Sequence, residues 1–308
     1  MRPKYGVLMA MLAVASCTTA PYVVKPRPSV AAGTLEDQKQ YHVHVSYLHQ
    51  NDNGLTQTVD EIDAQVLSAE TAEGQYYKWI SYRIRNYPVG TAPEERMESQ
   101  PSSTVAWRDY EPAVGFEYTM NGLAATSQGD LSNVPSMDSI PRDLDGFLFY
   151  TSVIDFHTWD IYRHEFLEPA DGRGPRLGRI GDSSTMPMPT APIPLLEWKG
   201  LSSDFAFGGG YCRAEYLADV PEGGKTCKLI SLDQNQRMKQ TVYGMAGFVQ
   251  MKMPYVGTSR VLGLSYWDAE NDLLRASFYE YVHSKVFVPV LVAVIVHEKR
   301  IYNIERVE

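Results

Sequence analysis

Residues 41–47 read Tyr-His-Val-His-Val-Ser-Tyr. Tyr41, Val43, Val45 and Tyr47 fall on one side of an extended chain, and His42, His44 and Ser46 fall on the other. Strict period-two alternation marks a half-buried strand, and its β-branched and aromatic members suit a pleated surface. Residues 261–267 repeat the pattern: Val261, Gly263, Ser265 and Trp267 alternate with Leu262, Leu264 and Tyr266. Between 76 and 85, Tyr76, Ile80, Tyr82 and Ile84 are expected to share a face, with Ser81, Arg83 and Arg85 pointing away. Phe116, Tyr118 and Met120 make a shorter set. Ala269-Glu270-Asn271-Asp272 reads as a hairpin turn leading into 273–282. The run Val286–His297 is apolar on both faces and reads as one buried strand or a pair, with Pro289 requiring an edge or a bulge.

Turn signals at Asn51-Asp52-Asn53-Gly54, Asn121-Gly122 and Pro221-Glu222-Gly223-Gly224 separate these windows. The fold class is therefore mainly β: an antiparallel β-sandwich or a curved open sheet, half-barrel-like, with one or two short helices. The first helix candidate starts near Pro141 and runs to Ile154. There Leu144, Phe147, Leu148 and Thr151 follow helical spacing and Ser139 is a possible cap, while Gly146 and the aromatic residues argue for a strand. Glu94–Glu98 is a second, shorter candidate. The proline-rich stretch at 186–194 cannot be a central strand.

The first residues, MRPKYGVLMAMLAVAS, place Arg2 and Lys4 before an apolar stretch, Gly6–Val14, too short to span a bilayer. Val14-Ala15-Ser16-Cys17 follows. This quartet resembles the lipobox of bacterial lipoproteins, in which small residues fit the signal peptidase and the cysteine carries the lipid. The resemblance implies cleavage before Cys17 and acylation of that residue. Thr18, in place of Asp, implies transfer to the outer membrane, facing the periplasm. Two or more acyl chains hold a protein firmly where one does not. Thr18–Thr34, with three prolines, reads as an extended tether.

The expected organisation is a signal peptide at 1–16, an acylated tether at 17–34, a β-rich part at 35–180, a proline-rich loop at 181–195, and a second β-rich part at 196–308. The alternative reading joins the two β-rich parts in one domain. Among 308 residues, 28 Lys and Arg face 37 Asp and Glu, a net charge of −9. An acidic chain lacks the basic footprint of nucleic-acid binding, and it would be repelled by anionic lipid, which suits tethering by acyl chains.

Cys212 and Cys227 remain as an even pair, which in an oxidising compartment favours a disulfide. A hairpin centred on Pro221–Gly224 does not set them directly opposite, so the bridge requires a wide loop or a bulge. The densest polar cluster runs from Asp155 to Glu165. If extended, it puts Asp155 and His157 on one face, the arrangement of an oriented general base or a metal ligand. His42 and His44 could extend it to a metal site. Against this, no HExxH, GxSxG or SxxK pattern occurs, and no cofactor is expected. Gly208-Gly209-Gly210 reads as a bulge in a sheet, not a phosphate cradle.

The sequence therefore favours a lipid-anchored envelope protein with a non-enzymatic binding or structural role. Its partner would be an apolar ligand, a lipoprotein or another envelope protein. The organisation is similar to that of the lipoprotein-carrier half-barrels, a likeness of architecture alone. The alternative is a periplasmic hydrolase or metal-dependent enzyme built on Asp155 and His157. An apolar groove would favour the carrier, a long uncapped edge strand a structural component, and convergence of the histidines the enzyme.

Overall fold

The structure is a computed structural model that describes residues 38–51, 53–71, 74–89, 105–120, 140–141, 143–168, 174–187, 202–246, 249–287 and 294–307. The strands are β1 Lys39–Gln50, β2 Thr56–Thr71, β3 Gly74–Pro88, β4 Arg108–Asp109, β5 Glu117–Met120, β6 Ser183–Pro187, β7 Ser202–Glu222, β8 Lys225–Ala246, β9 Val249–Trp267, β10 Leu273–Val286 and β11 Val294–Val307. Helix α1 covers Leu144–Tyr162 and runs directly into a π-helical turn, Arg163–Leu167.

All strand pairs are antiparallel and form one open sheet in the order β4-β3-β2-β1-β11-β10-β9-β8-β7-β6, with β5 also on β3. The first and last strands meet in its middle, from Gln40 opposite Val307 to Gln50 opposite His297. Strands from residues 35–180 and 196–308 are thus continuous in one sheet.

Alternation sets which face is inner. On β1, Tyr41, Val43, Val45 and Tyr47 are buried and the intervening residues are half-buried. On β10, Ala276, Phe278, Glu280, Val282, Ser284 and Val286 are buried, while Arg275, Ser277, Tyr279 and Tyr281 are exposed. Strand β3 departs from the expected face. Gln65 pairs with Ser81 but Val66 pairs with Trp79, so Ile80 sits in a bulge. One extra residue exchanges the faces: Tyr77 and Trp79 join Tyr82 and Ile84 on the inner face, while Tyr76, also buried, lies on the other face and donates to Glu117.

The inner face is covered by α1. Asp143 Oδ1 accepts a hydrogen bond from the Gly146 N–H at 2.8 Å and caps the helix. Ser139, the expected cap, lies outside the described residues, as does Glu94–Glu98. Gly146, which counted against a helix, is required by packing: a Cβ there would lie 1.9 Å from the Pro141 carbonyl oxygen. The helix also extends past Ile154, through the segment expected to be a strand.

Aromatic rings fix α1 to the sheet. Phe149 meets Trp79, Tyr82 and Phe116 edge-on at 5.2, 5.0 and 5.4 Å. Phe156 meets Tyr41, Tyr77 and Trp79 at 5.8, 5.9 and 6.0 Å. Trp159 stacks on Phe278 at 3.8 Å. Phe278 in turn lies across Gly263 on β9, where a Cβ would fall 1.9 Å from its ring. The helix therefore contacts strands from both parts of the chain.

The run Val286–His297 is the paired alternative: β10 ends at Val286 and β11 begins at Val294, with Val286 opposite Val294. Pro289 lies outside the described residues. Met186 and Pro187 close the edge strand β6, where proline is tolerated; the rest of the proline-rich stretch lies outside the described residues. The Gly208–Gly210 bulge is present as a register shift between Phe207 and Gly210.

Candidate functional site

Register brings charged groups into one layer on the inner face. Tyr47 of β1 stands opposite Asp60 of β2 and Arg300 of β11, and Arg300 stands opposite Glu280 of β10. One step along, His49 stands opposite Glu298. Helix α1 contributes Asp155 from above. Tyr302 Oη donates to Asp155 Oδ2 at 2.6 Å and lies 3.5 Å from Glu280 Oε2.

Arg300 pairs with Glu298 through Nε and with Glu280 at 3.4 Å, and its guanidinium lies 5.2 Å from the Tyr47 ring centre. His49 Nε2 is 2.7 Å from Asp60 Oδ2, and Asn86 donates to the same carboxylate. Ser259 donates to Glu280.

Asp60, Glu280 and Glu298 are thus held by one arginine and one histidine and Asp155 by the Tyr302 hydroxyl, and the excess of carboxylate shapes the titration. Burial, reinforced by Glu280 and Glu298 against the opposing pull of Arg300 and Tyr302, pushes Asp155 up to about 7. Burial disfavours a charged His49, but the Asp60 hydrogen bond and the Glu298 carboxylate outweigh it and raise the imidazole. The layer holds a proton near neutrality and ties α1 to β10 and β11.

The enzyme reading needed Asp155 and His157 on one strand face. Both lie on α1 instead, where a two-residue step turns a side chain about 200° around the axis. The strand that this reading required is a helix, because the packed aromatic ladder of α1 overrides the period-two appearance of this segment. The His157 side chain lies outside the described residues.

His42 and His44 alternate with Val43 and Val45 and so point to the outer face, away from Asp155. His42 Nε2 is 2.9 Å from Asp63, which also accepts from Arg83 at 2.6 Å. His44 lies 6.5 Å from the Trp107 ring, itself 4.2 Å from the Arg85 guanidinium. The sheet therefore separates His42 and His44 from Asp155. No group of three or more His, Cys, Asp or Glu suited to a metal occurs among the described residues.

The expected disulfide is also overturned: Cys212 and Cys227 are free and buried. Cys212 stands opposite Gln234 and Cys227 opposite Val220. Seven residues along β8 separate the two positions, about 23 Å at ~3.3 Å per residue, far beyond the ~7 Å Cα limit of a bridge. Burial pushes the Cys212 thiol up to about 12, against the opposing hydrogen bond with Tyr162, so it is an inert core residue. Cys17 lies outside the described residues.

The outer face of the later strands carries a feature that the sequence reading did not select. Arg213, Asp233, Leu262, Tyr279 and Ile301 form one cross-strand row, and Glu215, Ser231, Leu264 and Ser277 form the next. Leu262, Leu264, Tyr279 and Tyr281 are 43, 41, 39 and 37% exposed. Leu262, Leu264 and Tyr279 border a depression of about 610 Å³. Arg260–Asp233 and Arg213–Glu215, each at 3.4 Å, flank it. The sequence signal was the run Val261–Leu264, with apolar residues on both faces of one strand.

No family model matches the chain. It is 30% identical over 131 residues to the probable alpha-glucuronidase A of Aspergillus terreus, a match covering 42% of this chain and 15% of that protein. Among solved structures, the outer membrane channel DcaP of Acinetobacter baumannii aligns at 7% identity over 88% of this chain and 96% of that one, with a TM-score of 0.18. A triple mutant of the Rhodopseudomonas blastica porin aligns at 8% identity over 88% and 99%, with a TM-score of 0.16.

Proposed function

We propose that the chain is a lipid-anchored envelope protein, held through Cys17 at the periplasmic face of the outer membrane, that binds a protein partner on the outer face of β8–β11. The observation that carries this reading is the exposed Leu262, Leu264, Tyr279 and Tyr281 strip with ion pairs on its flank. An apolar centre with a polar rim is the anatomy of a protein interface, and contiguous exposed apolar surface marks interaction sites.

The inner face, where a half-barrel carrier would hold an acyl chain, is filled by the rings of α1. That favours a protein partner over a bound lipid. The acidic balance of the chain, made more negative by cleavage before Cys17, disfavours face-to-face pairing of two copies and supports a different chain as the partner.

The two parts of the proposal have separate readouts. Cys17→Ser, expressed in the native host, is expected to leave unprocessed precursor and to lose stable outer-membrane attachment. Unchanged processing and attachment would refute the anchor. In gently solubilised native envelopes, the wild-type chain is expected to migrate within a larger complex. The Leu262→Glu, Leu264→Glu double variant, folded by circular dichroism, is expected to migrate alone. Identical migration of the two would refute the docking face.

A further inference from the structure

We infer that His283 and His297, with the Tyr281 hydroxyl, form a binding site for a divalent transition-metal ion on the outer face of β10 and β11. The two histidines are direct cross-strand partners, so their side chains rise from the same face of the sheet within a few ångströms of each other. Their Nδ1 atoms are 3.1 Å apart while the ring centres are 4.6 Å apart, so the nitrogens converge. Tyr281 sits two residues before His283 on the same face, and its hydroxyl is 3.3 Å from His297 Nδ1.

Hydrogen bonding alone does not use this arrangement well. An imidazole Nδ1 has either one proton or one lone pair. His297 Nδ1 nevertheless has two polar neighbours, and it can make a full hydrogen bond to only one of them. A metal ion satisfies all three atoms together. Imidazole nitrogens bind such ions at about 2.0–2.1 Å, so ligand atoms at tetrahedral to square angles are about 2.9–3.4 Å apart. Both contacts fall in that interval.

Two imidazoles and a phenol oxygen suit Cu²⁺ first and Zn²⁺ next, since affinity at nitrogen and oxygen donors rises to copper. Tyr281 is 37% exposed, which leaves room for water to complete the coordination. The cross-strand neighbours, Gln50 beside His297 and Thr258 beside His283, are neutral. Lys285 and Lys299 share this face, and Lys299 Nζ lies 6.0 Å from the centre of the Tyr279 ring, at the next outward position of β10. With no carboxylate in the set and two cations on the face, the site is expected to bind in the micromolar range, roughly, and not as a tight structural centre.

The test is titration of the full-length, detergent-purified protein with CuCl₂ and separately with ZnCl₂. One saturable Cu²⁺ is expected, with electron paramagnetic resonance showing coupling to two nitrogens. His283→Ala and His297→Ala should each weaken it by about tenfold or more, because each removes a ligand. His42→Ala and His44→Ala, on the same face but outside this trio, should leave it unchanged. His297→Gln, which keeps a polar side chain on the strand, separates loss of a ligand from loss of fold. The inference is overturned if no saturable Cu²⁺ or Zn²⁺ binding occurs, or if binding survives intact in both His283→Ala and His297→Ala.

Discussion

Phe149→Ala is expected to cost about 3–5 kcal/mol of folding stability, the range for emptying a buried aromatic site. Phe149 is fully buried, and its ring meets those of Trp79, Tyr82 and Phe116. None of these can collapse into the space without leaving its own contacts: Tyr82 is hydrogen-bonded to Ser152 at 2.9 Å, and Trp79 also packs on Phe156. The comparison is Phe147→Ala on the same helix, where the ring is 44% exposed and the change should stay within about 0.5 kcal/mol. Denaturant unfolding of both variants checks the pair. Similar losses would mean that α1 does not cover the inner face as described.

The second large effect is on the pH dependence of stability. Asp155 titrates near 7 in the folded protein, against an ordinary value of 3.8. Between those values the folded state holds a proton that the unfolded state has released. Stability from this group is complete below pH ~4, falls by up to about 1.4 kcal/mol per pH unit, and levels off above ~7.

His49, raised above 6.5, adds a loss of the same sign as pH climbs through its folded value. His44 is lowered, chiefly by burial, and acts in the opposite sense, its contribution to stability being lost as pH falls below its ordinary value of 6.5. For Asp63, burial is outweighed by Arg83 and His42; its stabilisation is lost only as pH falls below about 4. The wild type should therefore unfold more easily at pH 7 than at pH 5, and Asp155→Asn should flatten that slope. Parallel pH profiles for the two would show that Asp155 is not the buried proton carrier.

Much of the sheet is legible in the sequence, because its alternation is strict. Tyr41–Tyr47 and Val261–Trp267 state their faces directly, and both lie in long antiparallel strands. The bulge at Ile80 is not legible, since a single extra residue leaves no mark in composition yet reverses the face of half a strand.

The helix was half legible. Leu144–Thr151 shows helical spacing, but Asp155-Phe156-His157-Thr158-Trp159 is rich in residues that favour strands, and tertiary packing decided the matter. Phe149, Val153 and Phe156 follow the helical period and are all buried. The polar layer was hidden for another reason. Asp60, Glu280 and Arg300 come from three strands, and only register sets them side by side. The same holds for His283 and His297, which neighbour each other across strands and not along the chain.

The docking face is best challenged by incorporating a photo-crosslinking amino acid at positions 264 and 279 of the full-length chain in its native envelope. Position 147, equally exposed but on the helix side, serves as the control. Discrete adducts with a second protein at 264 and 279, and none at 147, are the expected result. Adducts at all three positions, at none, or only at twice the mass of this chain would contradict a partner bound on the outer face of β8–β11.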